Sequence, residues 1–99
     1  MARVSVYTNI EELNMTTITD PATNAAVTTA IIDAYDGVVI TLNGAGNAQT
    51  LQDPSETTVS KRITVVNHST STYNIPVNGH ILEPGESQSW VWDGAAWCY

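Results

Sequence analysis

The sequence predicts a small, mainly β protein, an antiparallel sandwich or barrel with an extended N-terminal arm and at most one short helix. Three observations lead there. Val, Ile and Thr make up 32 of the 99 residues, and β-branched side chains pack well on a pleated surface while losing χ1 freedom in a helix. Hydrophobic residues are 42% of the chain and spread along its length, too many and too even for a disordered chain. Turn signals recur through the second half at the interval expected of a sandwich or barrel.

Residues 1–19 place Val4, Val6, Ile10, Leu13, Met15 and Ile18 among Thr, Ser and Asn without a strong turn signal. They read equally as an extended arm or as an edge strand, ahead of a single β-domain over 20–99. Asp20-Pro21 has the chemistry of a helix start, an N-cap carboxylate followed by Pro at the first helical position. Val27, Ala30, Ile31, Ala34 and Tyr35 then follow at helical spacing and Gly37 is placed as a stop, although Thr23, Thr28, Thr29, Ile31 and Ile32 are poor helix formers.

From Gly37 the period is that of strands. Val38 to Leu42 is an apolar run, Gln49 to Gln52 is a second short piece, and Arg62 to Val66 is the clearest central strand. His68 to Thr72 reads as an exposed loop. Asn78-Gly79 is a two-residue hairpin turn of type I′, in which both residues need positive φ. Glu83-Pro84-Gly85-Glu86 has type II turn chemistry. The strand from Ser87 to Trp92 alternates so that Trp90 and Trp92 share a face, and Asp93-Gly94 turns the chain into its last five residues.

Composition excludes several functions. Net charge is −7, with Arg3, Lys61 and Arg62 the only bases, so phosphate neutralisation along a nucleic acid has almost nothing to work with. The same charge argues against an anionic membrane. There is no signal-like h-region and no apolar run near 18 residues. Cys98 is the only cysteine, which precludes an intrachain disulfide and fits synthesis in a reducing cytoplasm.

A hydrolytic triad requires a nucleophile beside a His that a carboxylate orients. Only His68 and His80 are available, one in a polar loop and one after a tight turn, and both read as solvated. No catalytic residue is assigned and no enzyme is expected. No C-x-x-C, H-x-x-x-H or calcium-loop pattern occurs, so no metal or cofactor is expected. Asp53, Glu56, Glu83, Glu86 and Asp93 read as a polar rim, with a calcium ion shared between subunits as the alternative. Trp90, Trp92, Trp97 and Tyr99 are assigned to core packing first, a subunit interface second and carbohydrate binding third.

Two stretches, Gly37 to Leu42 followed by Gly46-Asn47-Ala48-Gln49-Thr50-Leu51, and Ile63 to Asn67 with its Ser/Thr loop, resemble small bacteriophage head decoration (cement) proteins and capsid fibre proteins. The ending, Leu82-Glu83-Pro84-Gly85-Glu86 and then Trp90 to Trp97, looks like the terminal hairpin of such modules and also of tail-fibre tips. The resemblance covers roughly residues 37–97, and its motifs are turn-and-strand patterns shared by several virion proteins. It implies a β-sandwich or jelly-roll-like module that binds the major capsid protein on the outer head surface and stabilises the head. It also implies a homotrimer, which the thin core of a 99-residue chain would favour.

Ninety-nine residues leave no room for the repetitive shaft of a typical tail fibre, which favours the head. The alternative is a receptor- or glycan-binding tip of a tail or capsid fibre. For attachment, Arg3, Val4, Val6, Tyr7 and Ile10 are the candidate capsid-binding arm, since an apolar extended segment on an acidic domain is best covered by another chain.

Overall fold

The computed structural model describes residues 14–21, 27–44, 48–70 and 72–99. They form β1 (Met15–Thr19), α1 (Thr29–Ala34), β2 (Gly37–Thr41), β3 (Lys61–Asn67), β4 (Ile75–Val77), β5 (His80–Leu82), β6 (Ser87–Trp92) and β7 (Trp97–Cys98). The protein is mainly β, as its composition predicts. A five-stranded sheet runs in the order β1-β2-β3-β6-β7, and β4 pairs with β5 in a separate ribbon.

The sheet is mixed, which differs from the antiparallel expectation. β1 runs parallel to β2 and β2 parallel to β3, whereas β3–β6, β6–β7 and β4–β5 are antiparallel. Parallel neighbours cannot be joined by a tight turn and need a crossover through another layer. The described parts of both connections, within 20–36 and 42–60, belong to such a layer. Val27 in the first bridges Leu51 in the second, and Gln49 bridges Val77 of β4. The two crossovers and the β4–β5 ribbon therefore make a second layer over the sheet.

The core lies between these layers. Val38 and Ile40 of β2, Ile63 and Val65 of β3 and Trp90 of β6 face Val27, Ile32, Leu51, Ile75, Val77 and Leu82 in one buried cluster. Alternation along β3 shows the period-2 logic, with 63, 65 and 67 buried and the intervening residues half-buried or exposed. Each fully buried Val or Ile contributes about 1.5 to 3 kcal/mol relative to exposure.

The helix falls inside the predicted window but starts later. Thr28 is its N-cap, accepting from Ile31 N–H through its hydroxyl. Asp20 instead stands at φ 48, and its carboxylate accepts from the Asn43 backbone and side-chain amides at 2.7 and 3.3 Å. The Asp-Pro pair ends β1 and ties it to the end of β2. Gly37 is no helix stop. It is the first residue of β2, where a Cβ would lie 2.9 Å from the Thr64 carbonyl and 2.6 Å from the Met15 methyl.

The turns of the second half follow their chemistry. Asn78 and Gly79 both have positive φ, 47 and 80, and Asn78 also accepts from Leu51 N–H through its side chain. Gly85 stands at φ 88, with Glu86 N–H donating to the Glu83 carbonyl at 2.9 Å. Asp93 caps the last turn, its carboxylate accepting from Ala95 and Ala96 N–H, both at 2.8 Å.

Candidate functional site

The aromatic residues gather at the β6–β7 end of the sheet. Trp90 is 0% exposed and Trp92 3%, placed by the strand alternation on the core-facing side. Trp92 donates its indole N–H to the Thr57 carbonyl at 3.1 Å, and Trp97, half-buried, donates to the Gln52 carbonyl at 2.9 Å. The two indoles meet edge to face at 5.4 Å and pin the 52–57 loop to the last hairpin. Trp90 has no hydrogen-bond partner for its Nε1. Its ring instead meets those of His80 at 6.1 Å and Tyr99 at 5.7 Å.

His80 is half-buried and stacks on Tyr99 at 4.7 Å, which corrects its reading as a solvated side chain. Position 80 shares a face with Leu82, so the ring turns inward. His68 is exposed. Hydroxyl hydrogen bonds among the described residues include Thr64 to Ser89, Thr29 to the Asp53 carbonyl and to Gln52, Ser55 to Asp33, Thr58 to Glu56 and Thr70 to the Leu42 carbonyl. None of these places a nucleophile on a histidine. No group of three or more His, Cys, Asp or Glu gathers among the described residues.

Local hydrogen bonds set the ionisable groups. Asp33 is held below the ordinary carboxylate range by its bonds from Ser55, Glu56 by those from Thr58, and Asp93 by the N–H groups of Ala96 and Ala95. Cys98 is pushed up, first by its hydrogen bond to Asp93. Glu56 and Asp93 serve local turns, while Asp33 ties α1 to Ser55 of the second crossover.

Asn67 is a residue the sequence did not mark. It is fully buried at the end of β3. Its amide donates to the Tyr73 carbonyl at 2.9 Å and the Leu82 carbonyl at 2.8 Å, and its Oδ1 accepts from Ser69 N–H at 2.9 Å. One side chain thus fastens the Ser/Thr loop and β5 to the central strand.

The surface most suited to contact is the outer face of the five-stranded sheet. Register and alternation place there Met15, Thr17 and Thr19 of β1, Val39 and Thr41 of β2, and Arg62, Thr64 and Val66 of β3. Ser87, Ser89 and Val91 of β6 and Cys98 of β7 complete it. Its strand residues include one cation, Arg62, and no acid, in a chain of net charge −7, and the Asp93 carboxylate reaches it at the β7 edge, 3.5 Å from Cys98 Sγ. The second layer lies on the other face, and among the described residues nothing covers this one.

The predicted site residues divide accordingly. Arg3, Val4, Val6, Tyr7 and Ile10 lie outside the described residues. Of residues 1–19, Met15–Thr19 forms the edge strand of the sheet. Trp90 and Trp92 are core, Trp97 is half-buried against the core, and Tyr99 is 69% exposed. Comparison of the chain with protein-family models, with curated proteins and with solved structures finds no match in any of the three.

Proposed function

We propose that the protein is a virion structural protein, a decoration (cement) protein that binds the outer capsid surface of a bacteriophage head and adds buried interface between capsid subunits. The observation that carries this reading is the outer face of the sheet, whose strand residues include no acid. An acidic chain gains solubility and mutual repulsion from its charge, yet the outer face of its sheet is rich in Thr, Ser and Val, with Arg62 as its one charged strand residue. Such a face suits adhesion to another protein. The resemblance of residues 37–97 to head decoration proteins supplies the capsid as partner. In this reading the protein acts as a homo-oligomer, by resemblance a trimer, and performs no catalysis.

Burial of the indoles weighs against the glycan-binding alternative. Stacking on a sugar needs exposed ring faces, and of the four aromatics in the cluster only Tyr99 presents one.

Purified protein added to capsids stripped of surface proteins tests the proposal. Saturable binding at hundreds of copies per particle is expected, with density over capsid subunit junctions in a cryo-EM map. The variant lacking residues 2–12, which keeps β1, is expected to remain folded and to bind such capsids at least about tenfold more weakly, if the arm supplies even 1.4 kcal/mol. Binding of full-length protein at a few copies, or none, would overturn the head assignment.

A further inference from the structure

Strand β1 is an edge of the five-stranded sheet, and the opposite edge, β7, is two residues long. The pairing of β1 fixes where its backbone groups point. The Asn14 carbonyl accepts from Asp36 N–H at 2.7 Å, and Asp20 N–H donates to the Thr41 carbonyl at 2.8 Å. Even-numbered residues from 14 to 20 therefore turn their backbone groups toward β2. Within a strand, successive residues point these groups to opposite sides, so Met15, Thr17 and Thr19 direct theirs outward.

No described residue pairs with that edge. Sheet edges are commonly guarded by Lys, Pro, a bulge, an inward charge or shortness. The five residues Met-Thr-Thr-Ile-Thr carry no Lys, no Pro and no charge. β7 is guarded by its length alone.

Charge selects the occupant. Copies of a chain with net charge −7 repel over most of their surface. β1 is neutral and carries no acid, and the Asp20 carboxylate that closes it is engaged by Asn43. Along Met15–Thr19 two copies meet without opposing acids, the nearest described ones, Asp20 and Asp36, standing at the ends of the strand. The strand is also self-complementary: in an antiparallel pair centred on Thr17, Met15 faces the other copy's Thr19 and Thr17 faces Thr17. That register matches all three outward residues, each pair exchanging two N–H···O bonds, for about six in total. Shifting it by two residues leaves one outward residue on each copy unmatched.

We propose that two copies of this chain pair antiparallel through β1 about a two-fold axis at Thr17, joining two five-stranded sheets into one. The contact is isologous, so it closes on itself. It is small beside the ~1,200 Å² that stable interfaces bury, and it strengthens where copies are held side by side. The pairing goes beyond the virion reading and does not depend on it. The same two-fold contact joins single subunits or subunits of neighbouring trimers.

Disulfide trapping on purified protein, without particles, tests it. In a Cys98→Ser background, which removes the exposed native thiol, Thr17→Cys puts thiols on the axis. Hydrogen-bonded antiparallel partners have Cα atoms ~5.5 Å apart, within disulfide reach. The C98S/T17C protein is expected to form a covalent dimer under oxidised glutathione at least about tenfold faster than C98S/T50C, whose exposed thiol lies in the second crossover, between the residues that bridge Val77 and Val27.

Thr17→Pro removes an outward N–H and leaves the β2 ladder intact. It is expected to keep the parent's circular dichroism spectrum while losing the parent's rise of sedimentation coefficient with concentration. Equal crosslinking of T17C and T50C, or sedimentation of the parent indistinguishable from that of a folded T17P variant, would overturn the pairing. Crosslinking of T17C that appears only after residues 2–12 are deleted would overturn it for the intact chain.

Discussion

The two ends of the five-stranded sheet are held by different means. At one end β3, β6 and β7 pair antiparallel, β6 joined to β7 by a tight turn and to β3 through the β4–β5 ribbon, and the large rings of Trp90, Trp92 and Trp97 fill the space beneath. At the other, β1 and β2 pair parallel, small side chains predominate, and the connections leave the sheet altogether. The first end gets its stability from aromatic burial and local hydrogen bonds. The second depends on close backbone approach, as at Gly37, and on side chains that reach across, such as Asp20 to Asn43 and Asn14 to the Ala34 carbonyl.

If this contrast is right, the largest effect belongs to the aromatic end. Trp90→Ala empties the most buried large site and is expected to cost about 3 to 5 kcal/mol, enough to unfold much of a marginally stable domain. Urea unfolding followed by circular dichroism measures it. A loss below about 1 kcal/mol would mean the rings do not carry that end.

Asn67→Ala comes next. It deprives the Tyr73 and Leu82 carbonyls and the Ser69 N–H of their partner, and each buried polar group left unpaired costs about 1 to 3 kcal/mol. A loss of about 2 to 3 kcal/mol is expected by urea unfolding, with faster amide exchange in the 69–73 loop and β5. Unchanged exchange there would show that the loop is held by something else.

Gly37→Ala addresses the parallel end. Its Cβ meets the Thr64 carbonyl, which is backbone and gives little, and the Met15 side chain, which gives more. Overpacking of this kind costs about 1 to 3 kcal/mol. The expected signature is local, with exchange accelerating in β1 and β2 before β6. Uniform acceleration across all five strands would erase the distinction between the two ends.

The smallest effect is that of acid. Asp33, Glu56 and Asp93 have folded pKa values lowered by hydrogen bonds. Their contribution is therefore fully present above the unfolded carboxylate pKa of about 4 and is lost as pH falls through the lower folded values. All three are exposed, so the melting temperature is expected to change little from pH 7 to pH 5 and to fall below that range. Asp93→Asn should flatten part of this acid slope.

The same contrast governs what could be read from the sequence. Turns at 78–79, 83–86 and 93–94 announce themselves because φ is a local property that Asn, Gly and Pro satisfy in recognisable order. Inward placement of Trp90 and Trp92 follows from period 2. The parallel pairing of β1 with β2 leaves no such mark, because its partners are 22 residues apart and the crossover between them has no distinctive composition. Asp20-Pro21 misleads for a physical reason: a carboxylate that can cap a helix can equally accept from a neighbouring strand's amides. Asn67 and Gly37 owe their roles to what tertiary packing brings beside them, and no residue pattern near them encodes that. Of the candidate attachment surfaces, the sequence singled out the arm by its apolar content. The outer sheet face emerges only once register sorts Thr, Ser and Val of the strands to one side.

The middle position of β3 has a kinetic consequence. It pairs with β2, more than twenty residues before it, and with β6, more than twenty after, so neither half of the sheet can be completed by its own neighbours in sequence. Loop-closure entropy must be met before those pairings stabilise anything. Chains with such separated contacts fold in about milliseconds to seconds. Until β6 docks, β3 keeps an unpaired edge exposed, so a slow folding phase and partner-dependent rescue of refolding yield are expected to originate at that edge.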